Sequence, residues 1–220
     1  MNYDTCKKFA IFSFIGRILV YFGGVIFNIV ITPVYNQQFI EGKMSALELT
    51  NSLSRASATF NNCGYLLCGV LAVLGFLFMF MEEREMLLLI TSACCGINIL
   101  PNIFGLLGMD ISALGIISKC NLNGVIAYIV FIVLSVAYNL YVAAFSLHSF
   151  KNGNAFLGII LALFFVWNVA GSFITTIVQS NINTYGQEAM YQGVMIIGLI
   201  TAFINLAENV FFIINTSKNY

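Results

Sequence analysis

The sequence has few charged side chains, and this lack excludes most soluble folds. Only 8% of its 220 residues are Asp, Glu, Lys or Arg, whereas a soluble globular domain carries about 25%. A soluble fold of this size would have too few charges to cover its surface, but a surface that faces lipid needs very few. The nine basic and nine acidic residues give a net charge of zero, so we predict no nucleic-acid partner.

Histidine and proline are also scarce, and motifs for metal or enzyme chemistry are missing. One His and six Cys, none in a C-x-x-C spacing, do not match the closely spaced ligands of a structural zinc site. The patterns H-E-x-x-H, G-x-S-x-G and S-x-x-K are absent. We therefore predict no metal, no cofactor and no enzymatic activity.

What the sequence has is six apolar runs, each long enough to cross a bilayer as a helix, which takes about 20 residues. With only two prolines and no alternation over roughly 10 residues, the runs favour helices over barrel strands. The predicted fold class is all-α: a polytopic membrane protein, with residues 1–220 as one integral domain built on a six-transmembrane-helix bundle. The predicted spans are residues 9–34, 63–81, 86–109, 124–147, 156–178 and 191–214.

The longest connection, residues 35–62, contains a helix signal. Ser45 and Glu48 have the spacing of a capping box, and apolar residues then recur at helical spacing as far as Phe60. The pattern predicts a short interfacial amphipathic helix after the first span. An ordinary capped helix that packs on the loop ends fits the same pattern.

The distribution of basic residues predicts the orientation. With the N-terminus inside, six Lys or Arg residues lie on the inner side and three on the outer side, so both termini are predicted to be cytoplasmic in a multi-pass cell-membrane protein. The inner residues are Lys7, Lys8, Arg17, Arg84, Lys151 and Lys218, and the outer ones are Lys43, Arg55 and Lys119.

Five of the six spans carry polar side chains along one helix face. Polar groups are costly against lipid, so these faces should point into the bundle and form a polar seam. The functional interpretation is a pathway for a small polar solute or cation. The structural alternative is hydrogen bonding between helices, worth roughly 0.6 kcal/mol per contact. The candidate solute- or ion-binding residues are Arg17, Asn98, Asn102, Asn139, Asn168, Asn205 and Glu208.

Arg17 and Glu208 are the ionisable residues deepest within the spans, and they lie at matching depth on the same side. Their spacing predicts a charge pair, which would lower the cost of burying both groups. Glu208 could then be a cation or proton site gated by Arg17, or the pair could be static, or Arg17 could extend to the headgroups. Pro101, flanked by Asn98 and Asn102, predicts either a broken helix or an ordinary kink.

Cys63 and Cys120 both fall at the predicted outer face, which makes them a candidate disulfide in an oxidising compartment. Bridging requires Cα atoms within about 7 Å, which spacing in the sequence does not determine.

Three functions fit these features. The leading hypothesis is a transporter or transport-complex subunit. The second is a non-catalytic assembly, immunity or regulatory subunit that serves other membrane subunits. The third is a lipid-modifying membrane enzyme that uses Glu208, Asp110 or Glu188 as acid–base groups. The lipid bilayer is a predicted partner in each case.

The six-span topology can be tested by labelling single cysteines placed at Lys43 and Lys151 in a variant without native cysteines. Three predicted spans separate these two positions, so a membrane-impermeant thiol reagent should reach the two cysteines from opposite faces of the membrane. A cysteine at Lys7 is the control and should react from the same face as Lys151. Labelling of Lys43 and Lys151 from one face would exclude the six-span topology.

Overall fold

The structure, a computed structural model, describes residues 3–111, 113–122, 124–180 and 187–218. The described residues form helices joined by short connections, with no strand among them. The helices are α1 Tyr3–Ile40, α2 Ala46–Glu83, α3 Met86–Leu106, α4 Ala113–Lys119, α5 Gly124–Lys151, α6 Ala155–Ser180 and α7 Gln187–Lys218.

Six of these helices are long and apolar enough to cross a membrane. The predicted fold class, an all-α six-helix membrane bundle, is therefore confirmed. The short α4 lies in the connection between α3 and α5 and was not predicted. The membrane-spanning segments are Lys7–Ile40, Ala46–Glu83, Met86–Leu106, Gly124–Lys151, Ala155–Ile174 and Gln192–Ser217.

The segment after the first span differs from its prediction. The capping box forms, because the Glu48 amide donates to Ser45 Oγ at 3.3 Å and the Ser45 amide donates to Glu48 Oε2 at 2.7 Å. The helix that begins there continues to Glu83 as the single 38-residue α2. The prediction of a separate short interfacial helix is therefore wrong. No proline or left-handed residue interrupts the chain until Arg84, which has φ +58°.

The six long helices form a closed ring in which α1 packs on α2, α2 on α3, α3 on α5, α5 on α6, α6 on α7, and α7 on α1. One end of the ring contains the start of α1 and the end of α7, where Lys7 Nζ donates to the Ser217 carbonyl at 3.0 Å. We call this the terminal end. The α2–α3 and α5–α6 turns meet each other, because Glu85 contacts His148 at 2.9 Å and Lys151 at 2.8 Å. They lie at the terminal end, because Asn215 near the end of α7 donates to Ser149 Oγ near the end of α5.

Small residues allow α1 and α2 to approach closely as an antiparallel pair. A Cβ atom at Gly75 would lie 2.5 Å from the backbone nitrogen of Ala10, and one at Gly64 would lie 2.5 Å from the Val20 side chain. Such contacts between small residues drive helix association where lipid removes the hydrophobic effect. At 38 residues each, or about 57 Å, both helices exceed the roughly 30 Å of a bilayer core.

Four phenylalanine rings fill the centre of the ring near the terminal end. Phe14 stacks on Phe212 with centroids 4.3 Å apart, and Phe212 stacks on Phe145 at 4.9 Å. Phe76 closes the set, at 5.1 Å from Phe145 and 6.2 Å from Phe14. All four side chains are fully buried. We call this set the aromatic cycle, and it joins α1, α2, α5 and α7 across the bundle axis.

Replacement of Gly75 by alanine should destabilise the protein, because the added methyl group meets the α1 backbone, which cannot move aside. Overpacking of this kind costs roughly 1–3 kcal/mol. Gly96→Ala is the matched control, since a Cβ there meets nothing within 4 Å, and alanine should favour the helix by up to about 1 kcal/mol. Thermal unfolding in detergent checks both variants. Equal melting temperatures would show that α1 and α2 do not pack this closely.

Candidate functional site

A cavity of about 420 Å³ lies on the axis of the ring. Its volume is within the range of small-molecule sites, roughly 300–1,000 Å³. All six membrane-spanning helices contribute to its wall, so it lies within the ring, and it is partly open to the outside. We call it the central cavity. Its lining includes Arg17 of α1, Tyr65 of α2, Asn98 of α3, Tyr141 of α5, Asn168 of α6 and Glu208 of α7.

The wall nearest the terminal end carries two buried charges on either side of a tyrosine hydroxyl. Arg17 Nη1 donates to the Tyr141 hydroxyl at 2.9 Å, and that hydroxyl donates to Glu208 Oε1 at 2.9 Å. The Arg17 guanidinium also lies 5.0 Å from the Tyr141 ring centre, which adds a cation–π contact. Arg17 is 9% exposed and Glu208 is 3% exposed, so water does little to stabilise either charge.

Two asparagines extend this network to the remaining helices. Asn168 Nδ2 donates to Glu208 Oε2 at 2.7 Å. Asn98 Oδ1 accepts from Arg17 Nη2 at 3.4 Å, and its amide donates to the Tyr138 carbonyl at 2.7 Å. The network therefore connects α1, α3, α5, α6 and α7 through groups that would be costly to bury without partners.

The structure brings all seven candidate residues to the central cavity. Arg17, Asn98, Asn168 and Glu208 belong to the network described above. Asn139 also lines the cavity and donates to the Ser135 carbonyl of its own helix at 2.8 Å. The side chains of the remaining two candidates make no hydrogen bond to another described residue. These two are Asn102 and Asn205. Solute or ion binding by the seven stays a prediction.

The predicted pairing of Arg17 with Glu208 requires a correction. Their charged atoms do not meet directly in the described structure, because the Tyr141 hydroxyl occupies the space between them. The two charges still compensate each other at short range. A neutral tyrosine hydroxyl is both a donor and an acceptor, so it can link a cation and an anion that do not touch.

Helix α3 runs through Pro101 without interruption to Leu106, so Pro101 does not break it. Pro101 and Asn102 nevertheless line the central cavity. The proline lacks an amide donor and leaves the carbonyl one turn earlier without its helical partner.

Cys63 and Cys120 are both free and exposed, so the candidate disulfide is not formed in this structure. The position of Cys63 on the face of α2 explains its exposure. Its neighbours Asn62 and Gly64 contact α3 and α1 respectively, so Cys63 points away from both helices.

The other acid–base candidates do not join Glu208. Asp110 is exposed on the connection after α3 and is not part of the cavity wall. The Glu188 side chain lies outside the described residues. A separate group with metal-ligand chemistry is present at the terminal end, where ligand atoms of Glu83, Glu85 and His148 lie within 4.8 Å of one another. The Lys151 ammonium binds Glu85 in this group at 2.8 Å, so these residues act as a contact between two turns.

Three aromatic residues of the site were not predicted: Tyr65, Tyr141 and Trp167. Trp167 Nε1 donates to Thr201 Oγ1 at 3.3 Å across the α6–α7 contact. Tyr141 could have been found from its depth in the bundle. It lies as many residues before Lys151, at the end of α5, as Arg17 lies after Lys7, near the start of α1. Buried aromatic residues are so common in helix cores that their type alone carries no such signal.

No protein family matches the chain, and neither does any characterised protein or solved structure.

Variants of the network should reveal its coupling. Arg17→Gln and Glu208→Gln each leave one buried charge without its partner and should each cost roughly 3–5 kcal/mol. The double variant should recover part of that loss. Tyr141→Phe removes a hydrogen bond to each charge and should cost about 1.5–3 kcal/mol for each bond lost. Thermal unfolding in detergent measures all four proteins. Strictly additive losses in the double variant would contradict the coupling.

Proposed function

We propose that this membrane protein is a transporter, or the solute-binding subunit of a transport complex, and that a small polar solute or cation binds in the central cavity. One observation supports this most directly: a cavity lined by both polar and apolar groups lies on the axis of the helix ring, with walls from all six spanning helices. A site in this position can open to either end by small movements of helices that share it.

The chemistry of the wall supports a binding role without a reaction. Its polar groups are mainly amides, hydroxyls and one opposite-charge couple, which bind and orient solutes. Asn102 and Asn205 make no side-chain hydrogen bond to a described residue, so they are free to serve a ligand. The aromatic cycle lies one helical turn from Arg17, Tyr141 and Glu208 toward the terminal end. It provides the seal that alternating access requires at one end.

A second candidate is a non-catalytic subunit that serves a membrane partner. The observation in its favour is that Asn98, Asn139 and Asn168 all have partners within the protein. A network satisfied in this way can act purely as a link between helices. The two candidates differ in whether water and solute reach the central cavity.

Access to the central cavity can be measured with single cysteines at Asn102 and Asn205 in a variant without native cysteines. In reconstituted vesicles, a small water-soluble thiol reagent should modify both positions, because the transport role requires an aqueous route. Val142→Cys, in the fully buried core, and Leu163→Cys, on the exposed apolar face of α6, are the matched controls and should stay unmodified. Failure of both cavity positions to react from either face would favour the second candidate.

A further inference from the structure

The central cavity combines one positive and one negative group at a defined spacing. Arg17 Nη1 and Glu208 Oε1 each lie 2.9 Å from the same tyrosine oxygen. Their separation is therefore at most twice that distance. A ligand that binds beside the tyrosine can reach both charges at once.

Both charged groups line the cavity and keep unused bonding capacity. A guanidinium has five N–H donors, and two of those on Arg17 are used within the described part of the chain. A carboxylate can accept about four hydrogen bonds, and Glu208 accepts two from described residues, one at each oxygen. Both donors to Glu208 are neutral side chains, so no cation touches this carboxylate directly among the described contacts.

We propose that the ligand of the central cavity is a zwitterion, specifically a polar α-amino acid. Its carboxylate would bind the free N–H groups of Arg17, and its ammonium would bind Glu208. The two charges of an α-amino acid are attached to one carbon atom, which fits a pair of protein charges separated by a single hydroxyl. This inference rests on the proposed function, since it names the class of solute for the same site.

Charge balance favours a zwitterion over an ion of one sign. A cation attracted by Glu208 would also meet the repulsion of Arg17, and an anion would meet the opposite combination. Both charges are nearly buried, so water screens these repulsions weakly. A zwitterion aligned against the pair gains attraction at both ends and leaves the total charge of the bundle unchanged.

The rest of the cavity wall favours a polar ligand side chain. Asn102 and Asn205 offer amide groups that have no described side-chain partner, while Tyr65 and Trp167 offer ring surfaces. An amide side chain recognises a carboxamide well, because each group is both a donor and an acceptor. We therefore take L-glutamine as the probe.

The test measures thermal stabilisation of the purified full-length protein by three molecules. These are L-glutamine, glutaramate, which lacks its amino group, and 4-aminobutanamide, which lacks its carboxylate. Glutamine should raise the melting temperature, and each analogue should bind at least about tenfold more weakly. If either analogue raised the melting temperature as much as glutamine does, the proposal of a zwitterionic ligand would be overturned. A lack of stabilisation by glutamine and by every other standard α-amino acid would also overturn it.

Charge variants assign the two ends of the ligand. Arg17→Gln should bind glutamine no better than 4-aminobutanamide, and Glu208→Gln should bind it no better than glutaramate. Arg55→Gln and Glu82→Gln, which replace exposed charges of the same types, are the controls and should keep the preference for glutamine. Charge variants that retain the full preference would overturn the assignment.

A second measurement does not depend on the folding of the charge variants. In the protein with a single cysteine at Ala202, which lines the central cavity but is not assigned to the ligand, glutamine should slow labelling by a thiol reagent, and the two analogues should not. Rapid labelling that is unaffected by any amino acid would overturn the amino-acid proposal while leaving the transport role in place. An unreactive cysteine would instead contradict the proposed function itself.

Discussion

The burial of two opposite charges in an apolar bundle is the constraint on which the rest of this structure depends. A guanidinium and a carboxylate removed from water lose several kcal/mol of hydration each, unless nearby groups replace it. Here Tyr141 lies between Arg17 and Glu208 and contacts both. Because these three residues are on α1, α5 and α7, their contacts set the relative depth of three helices. Asn98 and Asn168 extend the same constraint to α3 and α6.

The layers along the bundle axis follow from that network. Phe14, Phe145 and Phe212 each lie one turn toward the terminal end from Arg17, Tyr141 and Glu208 respectively. When the polar residues converge on the axis, the helical repeat brings these rings together as well. Their packing excludes water from one side of the charges and strengthens the electrostatic interactions among them. On the other side the same helices leave the central cavity.

The sequence was sufficient to predict the parts of the fold that depend on local pattern. Apolar runs of membrane length predicted the six spans, and the Ser45–Glu48 spacing predicted the helix start. The cost of polar groups in lipid predicted that the candidate residues would face inward, and they do. The continuity of α2 depends instead on tertiary contacts, because Asn61 and Asn62, at the end of the predicted connection 35–62, pack against α1 and α3. The role of Tyr141 likewise depends on which helices are neighbours across the axis, and no local pattern specifies this.

Some asparagine side chains in the cavity have hydrogen-bond partners and others do not. This difference bears on whether the network has a purely structural role. Asn98 and Asn168 have the partners that a link between helices requires. Asn102 and Asn205 face the same space without a described side-chain partner. Asn102 is half-buried and Asn205 is exposed, and within a membrane an amide without a contact is destabilising relative to an apolar residue of similar size unless water or a ligand solvates it. Structural linkage therefore accounts for the first two residues and leaves the other two unexplained. The proposed polar solute in the central cavity would account for all four, because the partnered amides hold the charged groups in position while the others would be available to the ligand.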